Sequence, residues 1–247
     1  FPSPKGPEWF HCGESYKFKS ATELRNQLTL IMREVFPYTP KINSEAIVRH
    51  KPTRTMVNAR KKLLLGILER YGQENFGIEG RFPDSSMFRS VLLNTGLYRK
   101  LNDQWKLVLP TKTRLKRDDG LRLVWTEIRD FFEKPQVRPK RPADLFNKLM
   151  SPPFGVRQGL LPIFFAAGLK RFSRALSITK DGEYLGDILP TGIEDLCRDP
   201  QKYRVKVVDL SPNETDYLLA MIECLAGQPA AKDGDLVRKS HDAFQEW

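Results

Sequence analysis

Two short stretches concentrate the residues able to do chemistry. Residues 41–62 carry Lys41, Arg49, Lys51, Arg54, Arg60, Lys61 and Lys62 against a single acid, Glu45. Residues 99–117 carry Arg99, Lys100, Lys106, Lys112, Arg114, Lys116 and Arg117 against Asp103 alone. Guanidinium and ammonium groups at this density neutralise phosphates and release their counterions, which is binding chemistry rather than bond-making chemistry. The charge is lopsided along the chain. Residues 1–120 hold 22 Lys and Arg against 12 Asp and Glu, a net of +10, while residues 121–247 hold 19 against 18, a net of +1. The first half therefore faces a polyanion and the second half does something else. The bland alternative is a basic face that is only solvated.

Motifs for catalysis are missing from the chain. Nothing matches G-x-x-x-x-G-K-[ST] or G-x-G-x-x-G, and there is no G-x-S-x-G or H-E-x-x-H. His11 and Cys12 are adjacent, but no second Cys or His follows at ligand spacing, and His50 and His241 are distant. The expectation is no enzyme activity, no metal and no cofactor within these residues. Cys12, Cys197 and Cys224 are an odd set without motif spacing, which fits a reducing, cytoplasmic setting. The chain opens Phe1, Pro2, Ser3, Pro4, with neither an initiator Met nor a charged leader, so a fragment of a longer protein is expected.

The elements that must position the basic residues follow from periodicity. Ser20 and Glu23 form a capping-box pair ahead of Leu24, Leu28, Ile31 and Val35, an amphipathic helix stopped by Phe36 and Pro37. Met56 to Tyr71 reads as a longer helix, closed by Gly72, with Leu63, Leu64, Ile67 and Leu68 on one side and Arg60, Lys61 and Lys62 toward the other. Pro83 opens a third helix through Met87, Val91 and Leu92, offering Ser85, Ser86, Arg89, Ser90 and Asn94 to a groove. Trp105 to Leu109 alternates like a strand, and Thr111–Arg117 has the composition of a basic wing loop.

Helix, long helix, helix and strand pair is the order of a winged helix. The tandem proline and basic steps of "EKPQVRPKRP", residues 133–142, read as an extended, solvated linker. Beyond it the scheme repeats. A short helix covers 143–150. The apolar "GLLPIFFAAGL", residues 159–169, is the centre of a helix from Val156 to about Arg174. At half the length of a membrane span, it reads as core, with a pocket at Phe164 and Phe165 as the alternative. A hairpin turns at Asp181 and Gly182, a capping box at Thr191 and Glu194 opens a short helix, and Tyr203–Val208 is a strand. Ser211 to Glu214 is a further capping box.

The expected fold is mainly α with short β-hairpins, in tandem winged-helix-like units. Its parts are a helical lead-in at 1–37, a basic first domain at 38–132, the linker 133–142, a second domain at 143–227 and a polar C-terminal segment or helix at 228–247. The nucleic-acid contacts expected are Arg54, Arg60, Lys61, Lys62, Arg89, Lys112, Arg114, Lys116 and Arg117, with DNA as partner and RNA as the alternative. No membrane association is expected.

Three phrases, "YTPKINSEAIVRHKPTRTMVNARKKLLLGILERYG", "FGIEGRFPDSSMFRSVLLNTGLYR" and "LMSPPFGVRQGLLPIFFAAGL" with its following "ITKDGEYL", resemble non-ATPase regions of very large prokaryotic P-loop ATPases. ATPases of this kind include those in phage-defence systems of the BREX and phosphorothioation-linked kinds. The resemblance implies a regulatory, assembly or DNA-contacting segment of such an ATPase. The second half is expected to meet the rest of the parent protein or partner subunits. The nucleotide-binding residues of those proteins are absent from this chain. The rival reading is a protein-interaction scaffold that binds no nucleic acid.

Overall fold

The computed structural model describes residues 8–44, 47, 52–109, 119–134, 138–172, 176–186, 188–207, 210–227 and 236–247. These residues are mainly helical, with short antiparallel strand pairs. The chain divides into two compact units, 1–37 and 38–247.

In the first unit, strands β1 (Trp9–His11) and β2 (Glu14–Tyr16) pair across a tight turn in which Cys12 and Gly13 both have positive φ. Sequence periodicity does not reveal this hairpin, because three-residue strands are too short to alternate detectably. Helix α1 (Ala21–Val35) follows. Ser20 Oγ accepts the Glu23 N–H at 3.2 Å as expected, but the Glu23 carboxylate accepts from Lys19 N–H at 2.8 Å rather than from Ser20. Only half of the capping box forms.

In the second unit, α2 (Arg54–Glu69) is capped by the Thr53 hydroxyl and buries Leu63, Leu64 and Ile67 completely. Helix α3 (Pro83–Phe88) runs into one π turn, Arg89–Leu93. Strands β3 (Tyr98–Leu101) and β4 (Gln104–Leu107) form a hairpin. Then come α4 (Asp119–Glu133), α5 (Pro142–Met150) and α6 (Leu161–Phe172). Strands β5 (Leu176–Lys180) and β6 (Glu183–Leu185) turn at Asp181 and Gly182, where the sequence places a hairpin. Helix α7 (Pro190–Arg198) intervenes before β7 (Tyr203–Val207), which pairs with the other edge of β5, giving the order β6-β5-β7. Helices α8 (Pro212–Ala226) and α9 (Leu236–Glu246) close the chain around a small cluster of Ile222, Leu236 and Ala243. The Ser211 and Glu214 capping box is complete in both directions, and Gly227 ends α8 in the left-handed conformation.

The long apolar stretch is core. Ten of the twelve residues of α6 are buried, with Phe164 and Phe165 each only 1% exposed. The helix starts later than the expected Val156: a 3₁₀ turn (Gln158–Leu160) leads in, so Pro162 falls in the first turn, where its missing N–H costs nothing. Gly168 sets how closely α6 meets α4. A Cβ there would collide with Ile128 Cγ2 and lie 2.8 Å from Phe132 Cε2.

Two expectations about domain boundaries are corrected. Residues 38–132 and 143–227 do not own separate cores, because Leu63, Ile67 and Val91 belong to one continuous cluster with Phe146, Phe164, Leu196 and Val205. Nor is 133–142 a solvated linker where it is described. Glu133 ends α4, Pro142 begins α5, and Lys140 is buried and bridged to Val205 through both backbone groups. The Lys140 ammonium donates to the carbonyls of Asp130, Phe131 and Lys134, so it caps the C-terminus of α4. Residues 135–137 lie outside the described residues.

Gly168→Ala is expected to lower the unfolding free energy by about 1–3 kcal/mol through overpacking. Phe164→Asp should cost several kcal/mol and abolish the folding of residues 38–247 together. Urea unfolding followed by circular dichroism and Trp fluorescence checks both, and a first-half transition surviving in Phe164→Asp would contradict the single core.

Candidate nucleic-acid interface

The side of α2 turned away from the core carries Arg54, Asn58 and Lys62, one helical turn apart and exposed, with Lys61 half-buried beside them. Arg60 points elsewhere. Its Nε and Nη2 donate to the two carboxylate oxygens of Glu194 on α7 at 2.6 and 2.7 Å, and the two side chains are only 15% and 11% exposed. Arg60 is thus committed to an internal fork pair and leaves the set of expected phosphate contacts. The same pairing corrects the capping box expected at Thr191: α7 starts at Pro190 with no side-chain cap, and Glu194 serves Arg60 instead.

On α3 and its π turn, Ser86, Arg89 and Asn94 are exposed. Two other hydroxyls expected there are turned inward. Ser85 donates to Gly80 O at 2.8 Å, and Ser90 bonds Ser86 O at 2.8 Å. Asp84 sits half-buried in the first turn.

The β3–β4 hairpin is fixed to the α2–α3 connection by aromatic residues. Tyr98 is fully buried and stacks on Phe76 at 4.0 Å and on Trp105 at 5.5 Å. Its hydroxyl donates to Gln73 O at 2.8 Å and accepts from Gly72 N–H at 3.2 Å. Burial pushes the Tyr98 phenol far above its ordinary range, so it remains a donor throughout the accessible pH range. Tyr71 Oη accepts the Leu107 N–H at 3.2 Å. Asn75 and Phe76 both have positive φ, 50° and 53°, and a buried phenylalanine in that region stores about 1–2 kcal/mol of strain. Gly66 makes room for it, since a Cβ there would lie 2.9 Å from Phe76 Cβ.

The hairpin turns at Asn102 and Asp103, both with positive φ, as a type I′ turn requires. The tip is therefore here, closed by a 3.1 Å pair between Lys100 and Asp103. Lys112, Arg114, Lys116 and Arg117, expected to form a wing tip, come after this hairpin in sequence and lie outside the described residues. On the hairpin itself Arg99 stands directly opposite Lys106. Like charges so placed cost roughly 0.2–1 kcal/mol. Arg99 Nε is in addition enclosed without a hydrogen-bond acceptor. Composition counts both residues but lacks the register that pairs them. Asn102 and Asp103 between two strand-like runs is the sequence signal that could have supplied it.

Of ten cations from Arg54 to Lys106, only Arg60 and Lys100 form ion pairs among the described residues. The second half differs. There Arg129, Lys134, Arg141, Lys148, Arg198 and Lys202 each meet a carboxylate. Arg171 and Lys180 lie over aromatic rings.

Other chemistry is sparse among the described residues. Burial pushes the Cys197 thiol up, so it stays protonated. His11 and Cys12 touch only each other as possible ligands, His241 adjoins Asp242, and no three His, Cys, Asp or Glu side chains converge as a metal site needs. No described helix is long and apolar enough to cross a membrane.

Glu194→Ala should destabilise the protein by about 3 kcal/mol, because it strands a guanidinium in the interior. Adding Arg60→Ala should recover part of that loss. A double-mutant cycle by thermal and urea unfolding measures the coupling, and strict additivity would show that the pair is inert.

Comparison of the chain with protein-family models, with curated protein sequences and with solved structures finds no match.

Proposed function

We propose that this protein binds nucleic acid, DNA foremost, through α2, α3 and the β3–β4 hairpin acting as a winged helix. The observation that carries the reading is the set of cations on these elements with no internal carboxylate. Arg54, Lys61 and Lys62 on α2, Arg89 on the π turn, and Arg99 and Lys106 on the hairpin all belong to it. An intramolecular role would have brought acids to them, as it does for Arg60. Unpaired cations on packed elements instead neutralise phosphates, and counterion release supplies the affinity. Arg89, exposed on the candidate groove helix, has the fork that reads a guanine edge. Lys112, Arg114, Lys116 and Arg117 join the interface on sequence alone. The near-neutral second half, six of whose cations meet internal carboxylates, would contact the rest of a parent protein or partner subunits. The resemblance to large phage-defence ATPases makes that parent a prokaryotic ATPase.

A protein-contact scaffold is the second reading. Phe82, 66% exposed just before α3, favours it, because an apolar side chain there suits a protein partner better than a phosphate backbone.

Fluorescence anisotropy on a labelled duplex separates the two. Binding should weaken with salt at a log–log slope of about −0.9 for every phosphate neutralised. Arg54→Ala, Lys62→Ala and Arg89→Ala combined should make that slope shallower by about 0.9 for each phosphate left without its cation, with thermal stability unchanged. Replacing Arg141 and Lys148, which are paired internally, should leave binding intact. Binding that is absent at low salt, or flat with salt, defeats the proposal in favour of the scaffold.

A further inference from the structure

We propose that Arg99 and Lys106 clamp one phosphate group between them, on the face of the β3–β4 hairpin opposite Tyr98 and Leu107. This rests on the nucleic-acid reading, with a backbone phosphodiester as the source of the phosphate. Strand alternation puts Tyr98 and Leu107 on the core side and Arg99 and Lys106 on the other. Leu97 O accepts the Val108 N–H, so two residues further on Arg99 and Lys106 fall at a hydrogen-bonded pair, with Cα atoms about 5.5 Å apart. Two cations at that spacing repel, and neither meets a carboxylate among the described residues. The nearest acid on the hairpin, Asp103, is engaged by Lys100.

One tetrahedral anion answers this repulsion. Its oxygens accept from the terminal guanidinium nitrogens of Arg99 and from the Lys106 ammonium at once, and its charge turns repulsion into two attractions. The Arg99 Nε–H is closed to solvent and takes no part. The site is also held in advance. The Asn102–Asp103 turn sets the register, and Tyr98 anchors the strand that carries Arg99, so little ordering remains to be done on binding.

The test uses the full chain with Arg99→Gln, Lys106→Gln and both together, measuring duplex affinity, its salt slope and the melting temperature. Each single change should weaken binding about tenfold, as expected for removing a charge-assisted hydrogen bond to phosphate. The double variant should bind scarcely worse than the weaker single, with a slope shallower by about 0.9, because one phosphate is released rather than two. Without ligand the single variants should melt no lower than wild type, and Lys106→Arg should bind like it. Losses that multiply in the double variant would mean two separate phosphates and overturn the clamp. Unchanged affinities overturn it as well, while leaving the wider nucleic-acid reading in place. If the wild-type chain binds no duplex, that reading falls, and inorganic phosphate decides for the clamp alone. A melting temperature raised by phosphate over chloride at equal ionic strength, and not raised in the double variant, supports it. The absence of any rise overturns it.

Discussion

The close approach of α6 to α4 at Gly168 governs how residues 38–247 pack. A helix buried on nearly every side must be covered from several directions, and here α2, α4 and α7 all lie against it. Only hydrogen fits between Gly168 and the side chains of Ile128 and Phe132. The halves of the chain cannot then fold as neighbours joined by a tether, since each supplies walls to the same interior. The Arg60–Glu194 fork is the polar counterpart, crossing between α2 and α7 at the edge of that interior, where partial exclusion of water strengthens it.

Burial also divides the charges into two kinds. Cations of the second half are mostly answered within the chain, by carboxylates, rings or carbonyls. Those of α2, the π turn and the hairpin are mostly not. The aromatic set around Tyr98 explains why the hairpin cations hold a fixed position relative to α2 and α3, and so why the basic elements can act as one surface.

Much of this architecture is legible in the sequence. The capping signal at Ser211, the Asp181–Gly182 turn and the apolar run at 159–169 each take the expected form, because each is dictated by local chemistry. What escapes is non-local. Nothing near Glu194 in sequence distinguishes a cap from a partner for Arg60, since the two helices meet only after folding. The Lys140 region reads as a linker because proline and lysine are polar-loop residues on average, while its actual surroundings depend on β7 and on the end of α4. The facing of Arg99 and Lys106 needs strand register, which composition does not contain. The first-unit hairpin is too short for periodicity to register.

The Lys140 joint bears on how the chain can be cut. A fragment ending within 133–142 would deprive the last carbonyls of α4 of the ammonium that satisfies them. It would also part Lys140 from either α4 or Val205 on β7, and bare to water the apolar sides of α2 and α4 that α6 covers. Dividing the protein at its most linker-like segment would thus yield two sticky pieces rather than two modules. Genetic dissection should follow the edge at Pro37 instead, where the compact body begins.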